Sequence, residues 1–235
     1  MKTEMNEPII KVKNLDKIFS TDDMLTHALN NISLEIEQGE YVSISGPSGC
    51  GKSTLLSIMG LLDFPSSGKL FFEGVDVGRL SLDDAAKLRN SKIGFIFQQF
   101  NLIDELTVEE NVALPLQYGK NKLSKSAIKD KVAQCLQIVN MQDKAKFKPN
   151  QLSGGQQQST AIARALVTDP TILFVDEPTG NLDSKSSDRI MQTLESLNKE
   201  GTTICIVTHD IRYAEMAKRK IYLLDGRILG QVSEG

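Results

Sequence analysis

The sequence is short of basic charge, of long apolar runs, of cysteine and of histidine, and each shortage narrows what the protein can be. Against 30 acids stand 27 lysines and arginines, a formal net charge of −3, so no general positive field recommends nucleic acid as a partner. The longest apolar stretches, such as "LLSIMGLL", fall far short of the roughly 18 residues a spanning helix needs. The opening "MKTEMNEPII" has no apolar signal region, and export is not expected. Three cysteines, Cys50, Cys135 and Cys205, lie far apart. That spacing offers no metal motif, and the odd number argues for reduced thiols in a cytosolic protein. The histidines are only His27 and His209. There is no repeat and no low-complexity tract. What remains, 40% hydrophobic and 24% charged over 235 residues, suits an ordinary soluble globular chain of one large domain.

Strand patterns mark both ends of the chain. "IIKVKNL" and "NISLEIEQGE" read as strands, the second with a period of two at Ile32, Leu34 and Ile36. "EYVSIS" is a short strand ending in a glycine loop, and "KSTLLSIMGLL" reads as a helix stopped before Pro65. "PSSG" is a turn; "KLFFEG" and "KIGFIF" are further strands. From Thr107 to about Leu166 helical periodicity takes over. "TVEE" is a capping box, Thr107 and Glu110 satisfying each other's helix-start donors. "SAIKDKVAQCLQIV" sets Ile128, Val132, Leu136 and Val139 on one face. The chain then returns to strands, "TILFVDE", "TTICIVTH" and "KIYLLDG", around the helices "SSDRIMQTLESLNKEG" and "IRYAEMA". Such alternation implies a parallel sheet covered on both faces. The expected fold is α/β, a core of about 1–98 and 166–235 holding a helical insertion at about 99–165.

The chemistry begins at Gly46. "GPSGCGKS" sets Gly46, Gly51, Lys52 and Ser53 in the register of a phosphate-binding loop, after an apolar strand and at a helix start. Backbone N–H groups there can wrap phosphate oxygens, helped by the helix dipole. Lys52 would reach the β- and γ-phosphates of a nucleotide, and Ser53 would bind Mg²⁺. In "ILFVDEPTG", Asp176 ends a buried strand at the edge where open α/β sheets bind ligands. It can hold Mg²⁺, and Glu177 beside it can act as general base on an attacking water. Pro178 is expected to restrict Glu177 to an extended conformation. His209, ending another apolar strand, is placed for a γ-phosphate contact. Gln98, after "IGFIF", can touch Mg²⁺ or the attacking water. No N-K-x-D run is present, so guanine has no obvious means of selection.

A second helix start, "QLSGGQQQSTAIARAL", carries adjacent glycines at its head. That is a poor way to begin a helix unless something must approach the backbone closely. Ser153 and Gln156 form a capping-box pattern, and Gly154 and Gly155 leave the first turn bare.

Taken together, these motifs resemble the nucleotide-binding subunits of ATP-binding-cassette transporters over nearly the whole chain. "LSGGQ" just upstream of an apolar-Asp-Glu strand is specific to that family. "GFIFQQFNLIDELTVEENV", "KPNQLSGGQQQ" and "DEPTGNLDSKS" are similar to its lipoprotein-release and macrolide-export branch. The resemblance implies a P-loop NTPase core with a mostly parallel central sheet, an N-terminal antiparallel β subdomain and the helical insertion, forming one nucleotide-binding domain over 1–235. It implies ATP held by Gly46, Ser48, Gly49, Cys50, Gly51, Lys52, Ser53 and Thr54, with adenine stacked on Phe19 between the first two strands. Mg²⁺ would be held by Ser53, Gln98 and Asp176, and Glu177, His209 and Gln98 would be the catalytic set.

Two subunits would pack head to tail as an ATP-driven homodimer, with Ser153, Gly154, Gly155 and Gln156 covering the partner's ATP. Asn181, Leu182 and Asp183 would cross the joint. An integral membrane permease with an extracytoplasmic domain would be the further partner, met through Phe100 to Leu106 at the cytoplasmic face of the inner membrane. The alternative within the family is an ATP-gated regulatory scaffold of the cell-division type. The DNA-repair and translation relatives are excluded by the lack of a coiled-coil insertion and of a second cassette. Two departures stand out: Ser159-Thr160 where relatives carry Arg-Val, and Cys50 where serine is frequent. Cys50 is expected to react with a bulky maleimide and to be protected by ATP.

Overall fold

The computed structural model describes residues 7–21, 24–119 and 123–233. In chain order, the first half holds β1 (Ile10–Thr21), β2 (Met24–Ile36), β3 (Tyr41–Ser45), α1 (Lys52–Met59), β4 (Ser67–Phe72), β5 (Val75–Asp76), α2 (Leu82–Lys92), β6 (Ile93–Ile96) and α3 (Val108–Ala113). The second holds α4 (Lys125–Ile138), α5 (Gly154–Leu166), β7 (Ile172–Asp176), α6 (Ser184–Lys199), β8 (Thr203–Val207), α7 (Ile211–Ala214), β9 (Arg219–Leu224) and β10 (Arg227–Ser233). The chain divides into two compact units, one running to Ala85 and resuming at Thr203, the other spanning Ala86–Thr202.

In the first unit, β1 pairs antiparallel with both β2 and β4, and β5 extends that sheet. β3 lies parallel to β8 on one side and to β9 on the other, and β10 closes antiparallel onto β9. Val42, Ile44, Ile204, Ile206, Ile221 and Leu223 are fully buried, as expected where strands of a parallel sheet are covered on both faces. Each such side chain contributes about 1.5–3 kcal/mol of burial. Ser43 interrupts this run, and its Oγ donates to the Ala214 carbonyl at 3.2 Å. α1 is shorter than its apolar pattern implies. It stops at Met59 because Gly60 caps it and Leu61 turns to φ 59°. "IRYAEMA" forms only one turn, and β10 was not anticipated, since its Gly230 and polar residues blur the strand pattern.

In the second unit, β6 pairs parallel with β7, Ile93 opposite Ile172 through Ile96 opposite Val175. The described residues between β6 and β7 contain no strand. Thr107 caps α3 through the expected box with Glu110. On α4, Val132, Cys135 and Leu136 are buried while Ile128 is only half-buried. The buried stripe therefore runs through the cysteine. α5 turns Ala161, Ile162, Ala163, Ala165 and Leu166 inward, and the three alanines among them allow close packing on its neighbours. No helix among the described residues is long and apolar enough to cross a membrane.

Candidate active site

The first unit carries the glycine loop. β3 brings the chain to Ser45 and α1 starts at Lys52; between them Gly46 and Gly51 adopt φ of 151° and 102°. A Cβ at Gly46 would lie 2.0 Å from the Leu223 carbonyl oxygen, and one at Gly51 would lie 2.4 Å from that of Ala28. Torsion and close approach together exclude any side chain at either position. Lys52 folds back over the loop, its Nζ donating to the carbonyl oxygens of Gly46 at 2.9 Å and Pro47 at 2.7 Å. An ammonium has three donors, and among the described residues the third meets only the Cys50 sulfur at 3.9 Å. A phosphate oxygen is a far better acceptor than that sulfur. Ser48, Gly49 and Ser53 are exposed around this cradle and Thr54 is half-buried. The loop can receive a phosphate group there.

Three sequence expectations in this unit need correction or detail. Cys50 is only 5% exposed, so the expected reaction with a bulky maleimide is blocked by the loop itself. Phe19 is not in a loop between the first two strands: β1 runs on to Thr21, and Phe19 sits inside it opposite Thr26. Its ring is 44% exposed, with the Lys17 ammonium 5.0 Å from its centre. His209 is exposed just beyond β8. Next to it, hydrogen bonds from Arg212 hold the Asp210 carboxyl below the usual range, with His209 adding a smaller attraction.

The second unit carries the acids. Asp176 ends β7, half-buried. Glu177 follows with φ 48°, so the expectation of an extended residue before Pro178 is overturned. The chain turns sharply through the left-handed region, a conformation that costs a non-glycine residue about 1–3 kcal/mol and clusters at functional sites. Gly180 N donates to the Glu177 carbonyl at 3.2 Å and Leu182 N to that of Thr179 at 3.1 Å. Gln98 is exposed just past β6. Its carbonyl accepts from Asn181 Nδ2 at 3.1 Å, and its amide lies so close to Gly180 that a Cβ there would come within 2.7 Å of Nε2. Gln98, the 177–180 turn and Asn181 thus form one cluster.

The second glycine-led helix start belongs to this unit as well. Ser153 and Gln156 form the expected capping box. The glycines also serve a purpose that the sequence did not reveal. A Cβ on Gly154 would meet Leu182 at 3.2 Å, and one on Gly155 would meet Ser186 at 2.8 Å. The stretch from Asn181 to the start of α6 therefore packs directly on the first turn of α5. Asp183 caps α6, its carboxylate accepting from Ser186 N and Oγ, and those bonds hold its carboxyl below the usual range. Ser159 and Thr160 are buried, and Thr160 Oγ1 returns a hydrogen bond to the Gln156 carbonyl at 2.9 Å.

Of the stretch expected to meet a permease, Ile103 is exposed while Phe100, Leu102 and Leu106 are half-buried. Buried Asn111, which sequence reasoning missed, holds this loop by accepting from Ile103 N and donating to the carbonyls of Ile103, Leu106 and Thr107. Gln158 and Arg164 were missed too. A polar residue on the apolar face of a helix, one turn before Ile162, is the signal that would have found Gln158.

A strand, a left-handed glycine loop and a lysine at a helix start define a P-loop nucleotide-binding protein of the α/β class. A family model described as "ABC transporter" matches residues 29–180. The chain is 48% identical over 223 residues to the uncharacterized ABC transporter ATP-binding protein MJ0796 of Methanocaldococcus jannaschii, covering 94% of this chain and 95% of that one. It is 44% identical over 226 residues to the lipoprotein-releasing system ATP-binding protein LolD 1 of Chlorobium chlorochromatii, covering 95% and 92%. A solved dimeric structure of the MJ0796 cassette, described as a post-hydrolysis state bound to ADP and Pi, superposes with a TM-score of 0.89 at 45% identity, covering 96% of this chain and 99% of that one. The chain belongs to the ABC transporter family, as one of its ATP-binding proteins, and its fold is the P-loop NTPase fold of these cassettes.

Proposed function

We propose that this chain hydrolyses ATP and that it does so as a head-to-tail homodimer serving an integral membrane permease with an extracytoplasmic domain. The observation that carries the hydrolytic reading is Glu177, held left-handed at φ 48° directly after Asp176. In this reading Glu177 takes a proton from water as the water oxygen bonds to the γ-phosphorus. The bond from that phosphorus to the bridging oxygen breaks, and its electron pair stays on ADP. Lys52, already fixed over the loop by two carbonyls, neutralises charge on the β- and γ-phosphates. The backbone donors of Ser48 to Thr54 hold the remaining oxygens, and Phe19 stacks on adenine. His209 contacts the γ-phosphate, and Gln98 orients the water.

A hydroxyl on Ser53, a carboxylate on Asp176 and an amide oxygen on Gln98 are the hard oxygen donors that Mg²⁺ prefers. Bound there, the ion supplies counter-charge to the terminal phosphates.

The dimer reading is supported by the dimeric form of the MJ0796 cassette. In this reading, Ser153 to Gln156 of one subunit cap the nucleotide of the other, and Asn181 to Asp183 run along the joint. The permease reading is supported by relatives named for lipoprotein release and for macrolide export, and it locates the protein at the cytoplasmic face of the inner membrane. We read the whole chain as one nucleotide-binding domain, its core about 1–98 and 166–235 and its helical subdomain about 99–165. The test is Glu177→Gln. Loss of a general base lowers turnover by about 10²–10⁴-fold, and retained ATP should shift the variant to a dimer on size exclusion. Wild-type turnover in this variant overturns the role of Glu177, and a monomer at millimolar ATP overturns the sandwich.

A further inference from the structure

We propose that Gln158 is a positioning residue that sets the backbone of both Gln98 and Glu177 from the interior of α5. The inference deepens the hydrolytic reading above and rests on it for its effect on turnover. Gln158 is fully buried. Its Nε2 donates to the Pro178 carbonyl at 2.9 Å and to the Phe97 carbonyl at 3.3 Å. The first of these lies one residue after Glu177, and the second is in the peptide bond that joins Phe97 to Gln98. One amide group thus holds both turns. Its Oε1 meets no protein donor among the described residues, so the polar service of this side chain consists of those two donations.

Both held segments need holding. Glu177 lies in the left-handed region, which a non-glycine residue keeps only when its surroundings over-determine it. Within the 97–101 stretch, the carbonyls of Phe97, Gln98, Phe100 and Asn101 accept from the side chains of Gln158, Asn181 and Arg164. That stretch is set by side chains, and α5 supplies most of them. Because α5 begins at the capping box of Ser153, a displacement of that helix start is passed through Gln158 to both turns at once.

The test uses Gln158→Met, which keeps the length and apolar contacts but has no donor, and Gln158→Glu. A carboxyl facing two carbonyl oxygens in a buried site is pushed up in pKa and stays protonated, so it can serve one carbonyl only. Hydrogen exchange is read first, without nucleotide. We expect about tenfold faster exchange across 97–101 and 177–183 in Gln158→Met, an intermediate effect in Gln158→Glu, and no change across 46–54. Unchanged exchange in 97–101 and 177–183 overturns the proposal whatever the turnover does. In steady-state ATPase assays kcat should fall in the order wild type, Gln158→Glu, Gln158→Met. KM for ATP and the melting temperature should remain near wild type. A fall in kcat that tracks lost melting temperature, or that comes with weakened nucleotide binding, marks Gln158 as general packing and also overturns it. If exchange changes as expected while Glu177→Gln turns over normally, the positioning stands and the hydrolytic reading of Glu177 is what fails.

Discussion

Two glycine pairs, one in each unit, look alike in sequence and are glycine for different reasons. Gly46 and Gly51 occupy backbone torsions of 151° and 102° and press against carbonyl oxygens. Gly154 and Gly155 sit in an ordinary helical turn, and their missing side chains make room for Leu182 and Ser186. The first pair is dictated by backbone geometry, which nothing nearby can relax. The second is dictated by side-chain packing, which a neighbour can in principle yield. Baring a helix start to a ligand and letting the chain's own loop approach are therefore compatible uses of the same two residues.

This difference can be tested by substitution. Gly51→Ala should be the most damaging change, because strain and a backbone clash add. A loss of about 3 kcal/mol or more is expected in chemical denaturation, with no measurable nucleotide binding. A well-folded Gly51→Ala with normal affinity would show that the loop is not geometry-limited. Lys52→Ala separates binding from folding. Loss of a charge-assisted bond to phosphate is worth about 1.5–3 kcal/mol, so affinity for a fluorescent ATP analogue should drop at least tenfold. Gly155→Ala should lower stability by about 1–2 kcal/mol and leave nucleotide binding by the isolated chain intact. Adding Ser186→Gly should recover most of that stability, and a double-mutant cycle without coupling would remove packing as the reason for Gly155.

The smallest effect concerns two of the three buried thiols, Cys205 in the first unit and Cys135 in the second. Burial, with a smaller push from Glu40, raises the Cys205 thiol to about 12; burial, with Asp169 adding to it, raises Cys135 to about 11. A raised thiol pKa favours the folded state fully below the unfolded value near 9. That part of the stability is lost as pH climbs from there toward the folded value. Between pH 8 and pH 10 the wild type should therefore lose about 1 kcal/mol more than Cys205→Ala in urea melts. Equal losses would show that Cys205 is less sequestered than its surroundings indicate.

Much of the fold was legible because apolar periodicity decides which residues must be hidden. The strands "YVSIS", "ILFVD" and "TICIV" and the amphipathic helices were found this way, and capping residues marked α3 and α5. β10 was not legible, as Gly230 and its polar neighbours leave no alternation to read. α1 is shorter than expected because its apolar pattern continues past the Gly60 cap. At the site, the residues that donate oxygen or bare a backbone announced themselves by type and spacing. The residues that hold them, Asn111, Gln158 and Arg164, did not. Their partners are backbone carbonyls as much as 64 residues away, and a carbonyl carries no sequence identity.

By itself the sequence determined most of the succession of strands and helices, though not β5, α2 or β10, together with the glycine loop, the paired acids and the family to which the chain belongs. These follow from side-chain type and local spacing, which act along the chain. Only the tertiary structure decided that Glu177 turns left-handed, that Cys50 is shut in, that Phe19 lies within a strand, and that one buried amide serves two distant turns. Those depend on which backbone atoms meet across space, and that meeting is settled when the core packs.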